Sequence, residues 1–124
     1  MKKIQAPAAP KAIGPYSAAI RVGNLLFCSG QTPVNPDTML IEGRDIEEQT
    51  LRALNNLEIV LSAAGASREN IVKTSVFLKN FADFPKMNAV YADFFGNHKP
   101  ARTTVEVSRL PLDALVEIEC IAEV

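Results

Sequence analysis

The chain reads as a two-layer α+β domain with element order ββαβαββ, on three observations. Five short runs are rich in β-branched or alternating apolar residues, two longer segments carry apolar residues at helical spacing, and the two kinds of segment are interleaved along the chain. The 124 residues contain no internal repeat, low-complexity tract or linker, so one domain spans 1–124 around one core.

Residues 1–15 hold Pro7, Pro10 and Pro15, which forbid a helix, and an extended surface arm is expected there. Tyr16 to Val22 alternates Tyr16, Ala18, Ile20 and Val22 against Ser17, Ala19 and Arg21. Gly23-Asn24 then turns into the apolar run Leu25 to Cys28, which makes a β-hairpin. Its second strand closes at Ser29-Gly30-Gln31. There a glycine lets a backbone amide approach a ligand and a serine hydroxyl can bond it, although a plain strand-ending turn has the same composition. Thr32 to Arg44 is loop, with a β-turn at Asn35-Pro36-Asp37-Thr38.

From Asp45 the period lengthens: Ile46, Thr50, Ala53, Leu54, Leu57, Val60, Leu61 and Ala64 fall on one helical face. Asp45 and Glu48 form a capping pair, and Gly65 is the stop. Ile71 to Leu78 returns to a period of two, with Val72, Thr74, Val76 and Leu78 on one face and Ile71, Lys73, Ser75 and Phe77 on the other. A second helix enters between Asn80 and Pro85, carries Phe84, Met87, Val90, Tyr91, Phe94 and Phe95 as a core stripe, and closes at Gly96. Asn88 lies beside that stripe, either reaching inward or solvated.

Pro100 to Val107 is the next strand. Alternation puts Ala101, Thr103, Val105 and Val107 toward the core, and Arg102, Thr104 and Glu106 on the polar face. After a turn at Arg109 to Asp113, Ala114 to Val124 sets Val116, Ile118, Cys120 and Ala122 against Glu117, Glu119 and Glu123. With two helices on one face of the sheet, the other face would gather Arg102, Thr104, Glu106, Glu117 and Glu119 beside Ile121. Such a mixed surface is expected to meet another subunit.

Composition narrows the chemistry. Hydrophobic residues are 48% and charged residues 22%, an ordinary globular balance, and 13 Lys and Arg against 14 Asp and Glu leave a charge of -1. No strong positive field recruits nucleic acid, and no apolar run is long enough for a membrane, which points to a cytoplasmic protein. Cys28 and Cys120 lack CxxC spacing and read as buried reduced thiols. With His98 the one histidine, no metal site is expected. Arg102 is the first functional candidate, because a guanidinium at a strand start presents a planar fork that suits a carboxylate; a solvated edge arginine fits the same pattern.

Several motifs together carry a resemblance. Ala12-Ile13-Gly14-Pro15-Tyr16-Ser17, Ser29-Gly30-Gln31, Val72-Lys73-Thr74 with Val76-Phe77, Met87-Asn88-Ala89-Val90-Tyr91, Pro100-Ala101-Arg102 and Val116-Glu117-Ile118-Glu119 resemble the RidA/YjgF family over nearly the whole chain. The resemblance implies a chorismate-mutase-like fold with a mixed sheet and two helices on one face, assembled as a homotrimer with sites between subunits. It implies a metal-free, cofactor-free deaminase that hydrolyses 2-iminobutanoate and 2-iminopropanoate, the imine and enamine products of pyridoxal-phosphate-dependent dehydratases, to 2-oxoacids and ammonia. Arg102 would grip the substrate carboxylate, assisted by main-chain amides near Gly30 and Thr104. Glu117 would hold and polarise the attacking water, and Tyr16, Ser29 and Asn88 would line the pocket. Some members carry a cysteine where this chain has Thr104, so thiol chemistry at that position is not implied here. The loop before Pro100 is also shorter than in some relatives.

An RNA-cleaving translation inhibitor is the alternative from another class, and the acidic balance and single histidine speak against it. A non-catalytic ligand-binding or chaperone-like module would use the same clefts without turnover.

Overall fold

In the computed structural model, which describes residues 1–124, the strands β1 (Lys2–Ile4), β2 (Ala19–Val22), β3 (Leu25–Gln31), β4 (Ile71–Leu78), β5 (Ala101–Glu106) and β6 (Val116–Glu123) form one sheet. Their order is β1-β2-β3-β6-β4-β5. Only β4 and β5 run parallel, so the sheet is mixed. The helices α1 (Ile46–Ala63) and α2 (Phe84–Phe95) cover one face. This is the expected α+β order with one addition at the N-terminus.

The addition is β1. The arm begins as a three-residue edge strand, Lys2 opposite Arg21 and Ile4 opposite Ala19, before its prolines release it from the sheet. The first hairpin strand is correspondingly shorter than its alternation, starting at Ala19 and not at Tyr16. Residues 16 to 18 belong to the arm's return, where the Ser17 carbonyl accepts from the Ser29 hydroxyl at 2.6 Å.

Helix α1 starts as its capping residues dictate. Asp45 accepts from the Glu48 amide at 2.9 Å, while the Glu48 carboxylate reaches one residue further back, to the Arg44 amide at 2.8 Å. Its end is a Schellman turn: Ala66 N–H donates to the Leu61 carbonyl and Gly65 N–H to that of Ser62, with Gly65 at a φ of +76° that a side chain would resist. Leu54, Leu57, Val60 and Leu61 pack under the sheet with Met87, Tyr91, Phe94 and Phe95 of α2 in a single core. Between the helices Arg68 clamps three elements. It grips Glu58 through two nitrogens at 2.6 and 2.7 Å, donates to the Phe94 carbonyl at 2.6 Å, and stacks 3.7 Å from the Phe94 ring.

Two face assignments differ from the alternation. In β4 the register with β6 shifts between Ile71 and Lys73, and this bulge turns Ile71 into the core and leaves Val72 exposed. In β5 the faces are reversed. Thr74, Val76 and Leu78 point into the core and pair with Arg102, Thr104 and Glu106, so those three lie on the helix-covered side, and Ala101, Thr103 and Val105 face outward. The covered positions of this edge strand lie against the rings of α2, on which the Arg102 guanidinium stacks, while no β5 residue joins the main core cluster.

The open face carries Ile20, Leu25, Phe27, Phe77, Val105 and Ile121 beside Lys73, Glu117 and Glu119. Phe27 and Val105 remain 43% and 40% exposed, which is costly for a sheet face that meets only water. Cys28 and Cys120 face each other across β3 and β6 on the core side, both buried and both free. Their mutual hydrogen bond and burial hold the Cys120 thiol far above its usual titration range. No helix is long and apolar enough to cross a membrane.

Candidate active site

The expected site residues form two groups, and the sheet separates them. The first group surrounds Arg102. On α2 the spacing Phe84, Asn88, Tyr91 puts these three on one face, and the Arg102 guanidinium lies over two of their rings, 4.7 Å from Tyr91 and 5.5 Å from Phe84. Asn88, partly buried, stands between those two rings along the helix.

Tyr91 is itself fixed, its hydroxyl 2.7 Å from Thr74 Oγ1, and burial pushes its phenol above the ordinary range, so it serves as a neutral platform. The start of α2 is tied to β5 by the Phe81 amide, which donates to Glu106 at 2.7 Å.

The chain's two ion pairs are Arg52–Glu42 and Arg68–Glu58, so Arg102 has no carboxylate partner of its own. Two residues along the same face, Thr104 Oγ1 is buried with no hydrogen-bond partner. A fixed cation on aromatic faces, beside an unsatisfied hydroxyl, suits an anion with oxygen acceptors.

The second group lies on the open face. Ser29 and Gly30 together oppose the single Glu119, because the β3–β6 register slips between Cys28 and Gln31. Glu117 folds over the resulting bulge. A Cβ on Gly30 would stand 2.6 Å from Glu117 Oε1, so the carboxylate rests where only glycine leaves room. Burial raises the Glu117 pKa, and the like charge of Glu119 raises it further. That shift disposes Glu117 to hold and return protons nearer neutral pH.

The Ser29 hydroxyl donates to Ser17, so its role is to anchor the arm, and its oxygen can still accept. Tyr16, half exposed on that arm, takes the Ile13 amide at 3.4 Å and borders the same cavity as Gly30.

The expectation that Arg102, Thr104, Glu106, Glu117 and Glu119 share one face is therefore corrected. Arg102, Thr104 and Glu106 belong with the helices, and Glu117 and Glu119 belong to the open side. By spacing alone Phe84 and Tyr91 belong to the core stripe, and Glu119 has no role beyond the polar face. The spacing of Phe84, Asn88 and Tyr91 was the available signal for the first two.

Comparison with known proteins agrees with this architecture. The family model described as endoribonuclease L-PSP matches residues 6–124. A RutC family protein of Pyrococcus abyssi is 55% identical over 114 residues, 92% of this chain and 90% of that protein. The chloroplastic Reactive Intermediate Deaminase A of Arabidopsis thaliana is 45% identical over 114 residues, 92% of this chain and 61% of that protein. Among solved structures, E. coli TdcF with bound serine is 41% identical with a TM-score of 0.95, covering 100% of this chain and 99% of that one.

Proposed function

This chain belongs to the endoribonuclease L-PSP family, which takes in RidA and RutC proteins, and from that premise we propose that it hydrolyses 2-imino acids to 2-oxoacids and ammonia. The observation that carries the reading is the unpaired Arg102 guanidinium held on Tyr91 and Phe84 beside the unsatisfied Thr104 hydroxyl. A 2-imino acid offers a carboxylate to that fork and an electrophilic carbon one bond away. The relative named for reactive-intermediate deamination and the serine-bound relative support the same substrate class.

In the proposed reaction Arg102 anchors the carboxylate. Glu117 takes a proton from water as its oxygen adds to C2 of the protonated imine, and returns a proton to the nitrogen of the resulting carbinolamine. Ammonia then leaves as the hydroxyl on C2 gives its proton back to Glu117 and the carbonyl forms. The steps need only orientation and proton handling. Dehydratase products such as 2-iminobutanoate and 2-iminopropanoate are the substrates we assign.

Because Arg102 and Glu117 lie on opposite faces of one sheet, a working site draws them from two copies. Such an interface joins unlike patches, and unlike patches close only as a ring. We assign the smallest such ring, a homotrimer, which also covers the apolar open face with Phe27 and Val105.

The test is subunit mixing. Arg102→Ala and Glu117→Ala variants, each inactive in a dehydratase-coupled assay of 2-oxobutanoate release, are unfolded together and refolded in equal amounts. Random rings place an intact arginine opposite an intact glutamate at about a quarter of the sites, so about a quarter of wild-type activity returns. A mixture as inactive as its parents would overturn the shared site, and a wild type that does not accelerate hydrolysis would overturn the deaminase.

A further inference from the structure

We infer that Gln49 and Asn56, two buried amides of α1, are positioning residues for Glu117: together they fix the end of β3 and the start of β6, the two strands whose approach makes the Gly30–Glu117 contact. The inference rests on the proton-handling role given to Glu117 in the deaminase reading above.

Both side chains are unusual for where they stand. Asn56 is fully buried and Gln49 only 6% exposed, about two turns apart on the side of α1 that carries Leu54, Leu57 and Leu61. A buried primary amide is costly unless its donors and its acceptor are used. In Asn56 all of them are. Its Nδ2 donates to the Thr32 carbonyl at 3.1 Å and to the Val34 carbonyl at 2.8 Å, and its Oδ1 accepts from Arg52 Nε at 3.1 Å. Gln49 bridges a second gap. Its Oε1 accepts from the Leu115 amide at 2.9 Å, and its Nε2 donates to the Gly43 carbonyl at 3.2 Å.

The groups so held flank the site. Thr32 follows directly on β3, which ends at Gln31, and Leu115 directly precedes β6, which begins at Val116. Gly30 and Glu117 thus each lie two residues from a backbone group bonded to the same helix. Between those two ties the β3–β6 ladder is interrupted, because its register slips between Cys28 and Gln31. Strand pairing therefore leaves the approach of Gly30 to Glu117 unset at the one place where it is tight enough to exclude a Cβ. A rigid helix bonded to both strand ends supplies the missing constraint. Apolar residues of similar size would fill the same core volume, yet the Val34 carbonyl and the Leu115 amide would lose their bonds to α1.

The test uses Asn56→Leu and Gln49→Met, which keep the volume and remove the bonds, in the dehydratase-coupled assay at a temperature where each variant is folded. Displacing a reacting group by a fraction of an ångström to about 1 Å lowers kcat roughly 10- to 100-fold. KM should stay within about twofold, since Arg102 still holds the carboxylate. Arg68→Met, which loosens α1 at Glu58 and away from both amides, should keep the wild-type kcat. Should Asn56→Leu fail to fold, Asn56→Ser, which keeps one donor, and Gln49→Met decide the matter. A wild-type kcat in the folded variants, or a loss carried by KM alone, would overturn the inference.

A second readout needs no turnover. The Gly30 Hα and Glu117 Hγ protons face each other across the contact and should give a strong nuclear Overhauser effect in wild type. That signal should weaken in the Asn56 and Gln49 variants and persist in Arg68→Met. If wild type hydrolyses no imine, the deaminase reading falls while this signal still decides the positioning role, which falls if both sets of variants retain the wild-type intensity.

Discussion

Replacing Gly30 by alanine is expected to separate stability from activity. The added methyl would stand 2.6 Å from Glu117 Oε1, 3.0 Å from its Cδ and 3.2 Å from its Cγ. Ordinary contact begins near 3.4 Å, so the carboxylate has to retreat by about 0.8 Å. A misplacement on the order of 1 Å at a reacting group costs on the order of a hundredfold in rate, so kcat in the coupled assay should fall roughly 30- to 100-fold. The backbone at Gly30 is not in the left-handed region, and alanine in a strand is favoured over glycine by about 0.5–1 kcal/mol, so thermal unfolding should occur at or slightly above the wild-type temperature. Glu117→Gln serves as the reference for complete loss of the base. A Gly30→Ala protein that keeps more than half of wild-type kcat would refute the reasoning, since the carboxylate would then be either indifferent to that contact or unnecessary.

Four further outcomes follow from the structure. Glu117 acts only when deprotonated and its pKa is raised by burial first and by Glu119 second, so kcat/KM should climb with pH through a limb above the normal carboxylate range; Glu119→Gln should move that limb toward acid, and a limb that stays put would remove Glu119 from the account. The same raised pKa means that the folded state holds this proton more tightly than the unfolded chain. Stability at this site is therefore greatest below the unfolded carboxylate value and is lost as pH rises through the folded one, and Glu117→Gln should flatten that part of a Tm-against-pH curve. Arg102→Lys keeps the charge but loses the fork and the ring stacking, so kcat/KM should drop roughly 30-fold or more, at about 2 kcal/mol for a charge-assisted pair, and equal activity would argue for a simple point charge. Arg68→Met removes a bidentate pair, a carbonyl contact and a ring stack at a site about a third exposed. A loss of about 1–2 kcal/mol, read as a Tm lower by several degrees with unchanged kcat, is expected.

The elements that the sequence revealed are those whose period is reinforced by burial on one side. Helix α1 and strand β6 each bury one clean face, and their boundaries agree with the alternation to within a residue or two. The same logic failed in β5. Val105 and Thr103 are the residues that ordinarily turn inward, yet here the covered positions hold Thr104 and the stem of Arg102, whose aliphatic parts suit the rings of α2 better than polarity alone suggests. A bulge at Val72 moved Ile71 across the sheet, and no local pattern marks an inserted residue of that kind. The first strand was too short, at Lys2 to Ile4, to show any period. Glu117 and Arg102 were legible as chemistry; their separation was not, because it depends on which neighbour each strand finds, and pairing is a property of the whole sheet. The Arg68 clamp joins residues 10 and 26 positions away, beyond the range of any motif.

The facing thiols of Cys28 and Cys120 make the centre of the sheet a natural clock. Both are nearly sealed from water, and the raised Cys120 titration leaves almost no thiolate to attack a disulfide or maleimide reagent. Labelling therefore waits on opening of the core between the helices and the β3–β6 part of the sheet, the two strands whose slipped register cradles Glu117. The rate at which the native protein takes up label counts those openings, residue by residue and without a substrate. It converts two inert core side chains into a record of how often the floor of the site comes apart.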